Sequence, residues 1–261
     1  TDTQVSPPGS GTFASRGGIA QSGAAGGAAE TLRKKILRIA AGLLEASAAD
    51  LEIRQGQVHV RGVPGRHVDV AEVARVAYSP PRGGLPGDAE PGLVATQFFD
   101  LPGPAFSGAV HVAVVEVDGE TGRVAVRGYT VVEDCGPVIN PAIVEGQIHG
   151  AVAQGIGEAL SERLVYDEEG QLLTGTFMEY ALPVAEDLPS FVIGHLETPS
   201  PLTPGGYKGM GEGGTIGAPA AVANAVADAL RPLGIAVTSL PILPASLVVA
   251  ALPVPGAEAV P

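Results

Sequence analysis

Residues 205–217, GGYKGMGEGGTIG, are the segment of this sequence best suited to chemistry. They hold six glycines besides Gly217, one lysine and one glutamate, and they run straight into an apolar helix pattern. Glycines let a backbone approach a ligand closely and adopt positive φ. A loop feeding a helix N-terminus presents unsatisfied N–H groups suited to an anion. Glu212, between Gly211 and Gly213, can reach a bound ligand without steric cover, and a carboxylate stripped of water there is a better proton acceptor. The alternative is a surface turn whose glutamate complements the helix dipole. Composition does not choose between the two. Gly209-x-Gly211-x-x-Gly214 matches the dinucleotide-binding fingerprint only formally. That fingerprint needs a strand before it, which PSPLTPGGY is not, and Asp228 falls inside the helix pattern rather than after a second strand.

Two further segments carry polar groups at useful places. Near the start, Gly11, Thr12, Ser15, Arg16 and Gly17 offer hydroxyl, guanidinium and amide donors just before a helix, a set that suits a phosphate or simply caps the helix. Residues 133–160, EDCGPVINPAIVEGQIHGAVAQGIGEAL, place Gln147, His149 and Gln154 on a helix of small residues. Gly146, Gly150, Gly155 and Gly157 each cost such a helix about 1 kcal/mol relative to alanine. They imply close packing against another backbone or a flat ligand. His149 reads as a structural or solvent-facing histidine. Cys135 reads as a small buried residue, since no catalytic histidine is evident beside it.

The elements that must position these segments follow from periodicity and turn chemistry. Apolar residues from Leu32 to Leu44 recur at helical spacing, predicting a helix over 19–46 with Arg33, Lys34 and Lys35 opposite. LEIRQGQVHVRG predicts a hairpin around Gln55-Gly56, and Asp69 a cap for the short helix VAEVARVAY. Residues 79–92 form a Pro/Gly-rich loop, the expected internal hinge. VHVAVVEV and RVAVRGYTVV predict a hairpin across Asp118–Gly122. Asn140-Pro141 marks a helix over 141–161. A second hairpin is expected over 163–180, turning at Asp167–Gly170. Pro219 is expected in the first turn of a helix running to Leu230, followed by short apolar strands and a frayed tail over 254–261. The fold class is α+β, with locally paired strands and helices between them.

Composition narrows the functions. The 261 residues carry 15 basic against 28 acidic side chains, a net charge of −13, which leaves no electrostatic footprint for nucleic acid or an anionic membrane. One cysteine excludes a disulfide framework and a cysteine-built zinc site. No apolar run reaches the roughly 18 residues that span a bilayer. Thr1 reads as a cut or processed start without a leader, and the expected compartment is cytoplasmic.

Taken together, KGMGEGGTIGAPAAVANAVADAL, EDCGPVINPAIVEGQIHGAVAQGIGEAL and TDTQVSPPGSGTFASRGG resemble one family, and the hairpin HVAVVEVDGETGRVAVRGYTVVEDCG resembles it too. This is the large subunit of the molybdenum hydroxylases, the relatives of xanthine oxidase, aldehyde oxidase and aerobic carbon monoxide dehydrogenase. The resemblance covers residues 1–252. It implies the C-terminal part of a molybdopterin-binding subunit, with 1–261 one portion of that domain. The implied cofactor is molybdopterin cytosine dinucleotide, whose molybdenum takes no protein ligand.

Glu212 falls on the glutamate of the family's K-G-x-G-E motif, where it takes the proton from the hydroxide that attacks an electrophilic carbon. The resemblance implies a cofactor-binding set: Thr12, Ser15, Arg16 and Gly17 where the family contacts the dinucleotide, Gln147 near the pterin, and Lys208, Gly209 and Gly211 in the loop placing Glu212. Family members commonly have Ser after the Arg where this chain has Gly17, so Arg16 carries the match better.

The implied partners are the N-terminal half of the molybdenum subunit, a [2Fe-2S] subunit, an FAD subunit and a small-molecule substrate (aldehyde, N-heterocycle or carbon monoxide). The copper-binding cysteine loop of carbon monoxide dehydrogenases lies in the half this chain lacks, so Cys135 does not bear on that choice. The chain is expected to be either a natural split subunit or a fragment. The competing expectation is a non-catalytic homologue that keeps the fold as a cofactor-binding or scaffold module.

Overall fold

The computed structural model describes residues 4, 9, 11–86 and 89–251. Two compact units divide the chain, Ala20–Leu101 and Thr1–Ile19 with Pro102–Pro261, each with its own apolar core. The tail expected to fray over 254–261 lies outside the described residues.

In the unit Ala20–Leu101, helix α1 (Gly17–Leu44) supplies Leu37, Ile39 and Ala40 to the core. One to two turns earlier in the helix lies the exposed pair Glu30–Arg33. The helix stops at Glu45, whose φ of +46° cannot continue it. Strands β1 (Leu51–Arg54), β2 (Gln57–Val60) and β3 (Val63–Asp69) form an antiparallel meander. Its first turn is Gln55-Gly56 with both φ positive, +48° and +78°, the geometry that matches strand twist in a two-residue hairpin. Asp69 precedes α2 (Val70–Tyr78) as expected, but its side chain does not cap. It accepts from Gln57 Nε2 instead (2.8 Å). Val73, Val76 and Ala77 of α2 close the core, and Leu85 and Ala89 pack on it. Residues 79–92 thus fall within the bounds of this unit, and the divisions between units fall at Ile19–Ala20 and Leu101–Pro102.

In the other unit, β4 (Gly108–Val117) and β5 (Val124–Asp134) form the expected hairpin, its loop tied by Asp118 Oδ1 to the N–H groups of Glu120 and Thr121. A bulge opposite Val114/Val115 lets Val126 as well as Tyr129, Val131 and Glu133 face the core. Asn140 caps α3 (Pro141–Leu160), its Oδ1 accepting from Ile143 N at 3.2 Å. The hairpin expected over 163–180 reduces to one bridge, Tyr166 to Leu172, around the Asp167–Gly170 turn. β6 (Phe191–Leu196) then pairs with β5 in parallel, from Tyr129↔Phe191 to Asp134↔Leu196. Pairing is therefore not only local.

α4 (Gly213–Leu230) starts six residues before Pro219, which sits inside it and not in the first turn. Its ring removes the donor for the Thr215 carbonyl. Where short strands were expected, the described chain forms a 3₁₀ turn and α5 (Pro244–Ala251).

The four glycines of α3 play three roles, Gly157 making room for Glu162 and Pro183. A Cβ on Gly155 would lie 2.6 Å from Ala218 Cβ, and one on Gly214 of α4 would lie 2.7 Å from Ala151 Cβ, so α3 and α4 touch backbone to backbone. Gly146 and Gly150 meet nothing within 4 Å and leave that face of α3 bare.

Candidate functional site

The loop before α1 and the loop before α4 meet at Ser15. Ala14 and Ser15 both hold positive φ, +50° and +55°, a conformation costing on the order of 1–2 kcal/mol per non-glycine residue. The strain aims the Ser15 hydroxyl at the glycine loop. Ser15 Oγ donates to Glu212 Oε2 at 2.7 Å and accepts from Glu212 N at 2.9 Å. Glycines make the approach possible. A Cβ on Gly209 would sit 2.8 Å from Ser15 Cβ, and one on Gly17 would sit 2.5 Å from Thr12 Oγ1. At Gly211 a Cβ would rest 3.5 Å from both Gln147 Oε1 and Ser15 Oγ, so Gly211 lines a notch between those two polar groups.

Glu212 is the N-cap of α4 but makes no side-chain cap bond. Its carboxylate is therefore not spent on the helix. One oxygen is held by Ser15, and the other carries no hydrogen bond among the described residues. Arg16 lies with its guanidinium carbon 3.7 Å from the centre of the Phe13 ring, a cation–π contact that presents a planar fork beside Ser15.

The sequence-predicted residues Thr12, Ser15, Gly17, Gln147, Gly209, Gly211 and Glu212 thus converge, with Arg16 adjoining. Lys208 does something else. Its ammonium pairs with Asp134 Oδ1 at 3.2 Å, both side chains largely buried, and its N–H donates to Cys135 O at 2.8 Å. Burial alone would raise the Asp134 carboxyl, but bonds from Thr198, Gly136 and Lys208 outweigh it and hold it down at about 2. The pair staples the glycine loop to the end of β5. His149 bonds Glu145 O and packs on Phe191. Burial pushes the Cys135 thiol up, which keeps it inert.

Sequence reasoning missed Glu133. It is 1% exposed, both carboxylate oxygens lack a hydrogen-bond partner among the described residues, and burial pushes its carboxyl up to about 7. The signal was present, because Tyr129, Val131 and Glu133 alternate on one strand face, which makes Glu133 a charge at a core position. His111 was missed too. Its Nδ1 lies 2.8 Å from Tyr129 Oη, and its Nε2 is buried without a well-formed hydrogen bond among the described residues. Among the described residues no group of three or more His, Cys, Asp or Glu side chains is placed to hold a metal ion, and no helix is long and apolar enough to cross a membrane.

Comparison with known proteins bears on what this arrangement serves. Residues 1–189 match the molybdopterin cofactor-binding domain. The chain is 45% identical over 240 residues to the nicotine 6-hydroxylase large subunit of Paenarthrobacter nicotinovorans, covering 92% of this chain and 29% of that one. It is 35% identical to the carbon monoxide dehydrogenase large chain of Hydrogenophaga pseudoflava over the same shares. Among solved structures, quinoline 2-oxidoreductase from Pseudomonas putida 86 superposes with a TM-score of 0.88 at 43% identity, over 95% of this chain and 31% of that one. A copper- and molybdenum-containing CO dehydrogenase gives 0.87 at 33% over the same shares. The chain spans less than a third of the length of these relatives. It belongs to the molybdopterin cofactor-binding domain family, that of the large subunits of the molybdenum hydroxylases.

Proposed function

We propose that this protein supplies the proton acceptor and part of the cofactor cradle of a molybdenum hydroxylase, with Glu212 as the general base. The observation that carries the reading is the two-way bond between Ser15 and Glu212 beside the notch at Gly211 and Gln147. Serine fixes one carboxylate oxygen, so the other is left to accept a proton in a set direction. The missing Cβ at Gly209 lets Ser15 reach the loop, and the one at Gly211 leaves the notch between Gln147 and Ser15 open for a bulky group to lie against.

That wall fits a molybdopterin dinucleotide. Gln147 offers its side-chain amide on one side of the notch and Ser15 Oγ, its proton given to Glu212, an acceptor on the other; Arg16 offers a phosphate-matching fork, and Thr12 and Gly17 shape the turn that carries Ser15 and Arg16. Lys208 acts on the group indirectly, by holding the loop through Asp134. When bound, the group supplies the redox chemistry, taking two electrons from a substrate whose new oxygen comes from water. The cytosine dinucleotide form, and electron transfer to [2Fe-2S] and FAD subunits, belong to the same reading. The remainder of the large subunit would complete the pocket. The higher identity to relatives named for nicotine and quinoline favours an N-heterocycle over carbon monoxide or an aldehyde.

The test is metal and nucleotide analysis of the purified complex, together with Glu212→Gln. Stoichiometric molybdenum with a cytosine nucleotide, and a variant that keeps both but loses substrate-driven reduction by about 10²–10⁴-fold, are expected. A metal-free complex, or near-normal reduction in the variant, overturns the reading.

A further inference from the structure

Glu133 occupies the most unusual position in the unit. Its strand neighbours on the same face are Val131 and Tyr129, and its register partners are Ala109 on β4 and His195 on β6. The side chain therefore points to the layer where α4 lies. A Cβ added to Gly213, the first residue of α4, would meet Glu133 Oε2 at 2.5 Å and Oε1 at 3.0 Å. The carboxyl group is thus seated directly under the residue that follows Glu212. Neither oxygen has a hydrogen-bond partner among the described residues, and the side chain is 1% exposed. A buried, unpaired carboxylate is expensive, whereas the neutral acid is much less so.

The geometry points to Glu133 as a positioning residue for Glu212: in its neutral form the carboxyl wedges the first turn of α4, and its ionisation loosens that support. This rests on the reading of Glu212 as the proton acceptor. Gly213 must be glycine for the wedge to fit, so the loop that presents Glu212 to Ser15 is clamped from two sides, by Ser15 above and by Glu133 below. A charge at Glu133 would repel the Glu212 carboxylate and draw water towards the turn. A cavity of about 140 Å³ with His111, Gly213 and Gly217 in its wall offers room for that water.

The groups around Glu133 do not neutralise it. From β4 comes His111, whose proton affinity burial lowers. From β5 comes Tyr129, and just after its end Cys135, whose protons are held more tightly, chiefly by burial and then by Glu133 itself. From β6 comes the exposed His195, and just beyond it Glu197. Asp134, next in the strand, is committed to Lys208. α4 contributes no titratable side chain before Asp228.

Two readouts on the assembled holoenzyme test the proposal. A carboxyl raised to about 7 in the folded protein stabilises it below the ordinary carboxylate range, and that stability is lost as pH rises through about 7. His111, lowered by burial, gives a slope of the opposite sign in an overlapping range, so the difference between the parent and Glu133→Gln is what isolates Glu133. Glu133→Gln keeps the shape and the neutral state. It is expected to retain molybdenum, to match the parent's substrate reduction within about twofold near pH 6, to lose the parent's fall in reduction rate as pH rises through about 7, and to lose the parent's decline in melting temperature between the ordinary carboxylate range and about pH 7. Glu133→Ala, which removes the wedge, should slow reduction at least about fivefold at both pH values while Glu133→Gln rescues it.

An unchanged melting slope in Glu133→Gln overturns the proposal. So does a flattened melting slope with an unchanged pH profile of reduction, because Glu133 is then only a buried acid. Normal reduction in Glu212→Gln marks failure of the underlying reading instead, and is told apart because the melting-temperature readout does not depend on Glu212.

Discussion

Ser15 and Glu212 lie 197 positions apart and hold each other by two hydrogen bonds, hydroxyl to carboxylate and backbone N–H to hydroxyl. The contact ties the turn before α1 to the turn before α4. Each turn is strained or glycine-rich, and neither would keep this shape alone.

The first prediction separates strain from contact at Ser15. Ser15→Ala loses both bonds and keeps a Cβ at φ +55°, whereas Ser15→Gly loses the bonds and relieves the strain. Ser15→Gly should melt higher than Ser15→Ala, by the equivalent of about 1 kcal/mol. Both should lose at least about tenfold in substrate-driven reduction, because Glu212 is no longer oriented. Equal melting temperatures, or full activity in either variant, would contradict this.

The two loop glycines should respond differently to alanine. At Gly209 the new methyl would sit 2.8 Å from Ser15 Cβ and 3.0 Å from Ser15 O, too close without a backbone shift. At Gly211 it would rest 3.5 Å from Gln147 Oε1 and Ser15 Oγ, in ordinary contact. Gly209→Ala should therefore lower the melting temperature, by a strain of about 1–3 kcal/mol. Gly211→Ala should leave it nearly unchanged while reducing molybdenum content, since it fills the notch. Thermal melts and metal analysis on the same preparations decide it.

Asp134 and Lys208 should behave as a staple. Lys208→Met leaves a largely buried carboxylate without its cation and should cost about 3 kcal/mol. Because Asp134 is held down at about 2, its contribution is present above the ordinary carboxylate range and is lost as pH falls through about 2. Asp134→Asn should flatten that acid limb in a series of melts from about pH 5 to pH 2. An acid limb identical to the parent's would remove Asp134 from its cause.

Arg16 should matter for cofactor retention and not for folding. Its guanidinium stacks on exposed Phe13, which orients the fork at little structural cost. Arg16→Ala should lower molybdenum and nucleotide content in the assembled complex and leave the melting temperature of the cofactor-free form within about 1 kcal/mol equivalent. Arg16→Lys should rescue only in part, since an ammonium cannot match a phosphate with two parallel bonds. Unchanged occupancy in Arg16→Ala would exclude the role.

Local chemistry was legible in the sequence. Asn140-Pro141 starts α3, Gln55-Gly56 turns the first hairpin, Asp118 ties the β4–β5 loop, and glycines around Glu212 mark an open loop ahead of a helix. Each of these is settled by sterics and hydrogen bonds within a few residues, so neighbours in sequence suffice. What the tertiary structure decided is long-range. β6 joins β5 in parallel only because α3 and the chain beyond it bring Phe191 beside Tyr129. Pro219 sits inside α4 because burial of Gly214, Ala218 and Val222 outweighs one lost hydrogen bond. Lys208 faces Asp134 rather than the Ser15 cluster, and Glu133 lies beneath Gly213, because the sheet and α4 close around them. Burial is a property of everything packed around a residue. No local pattern states it, and it is burial that makes an ordinary strand glutamate into an unpaired acid beneath the loop of Glu212.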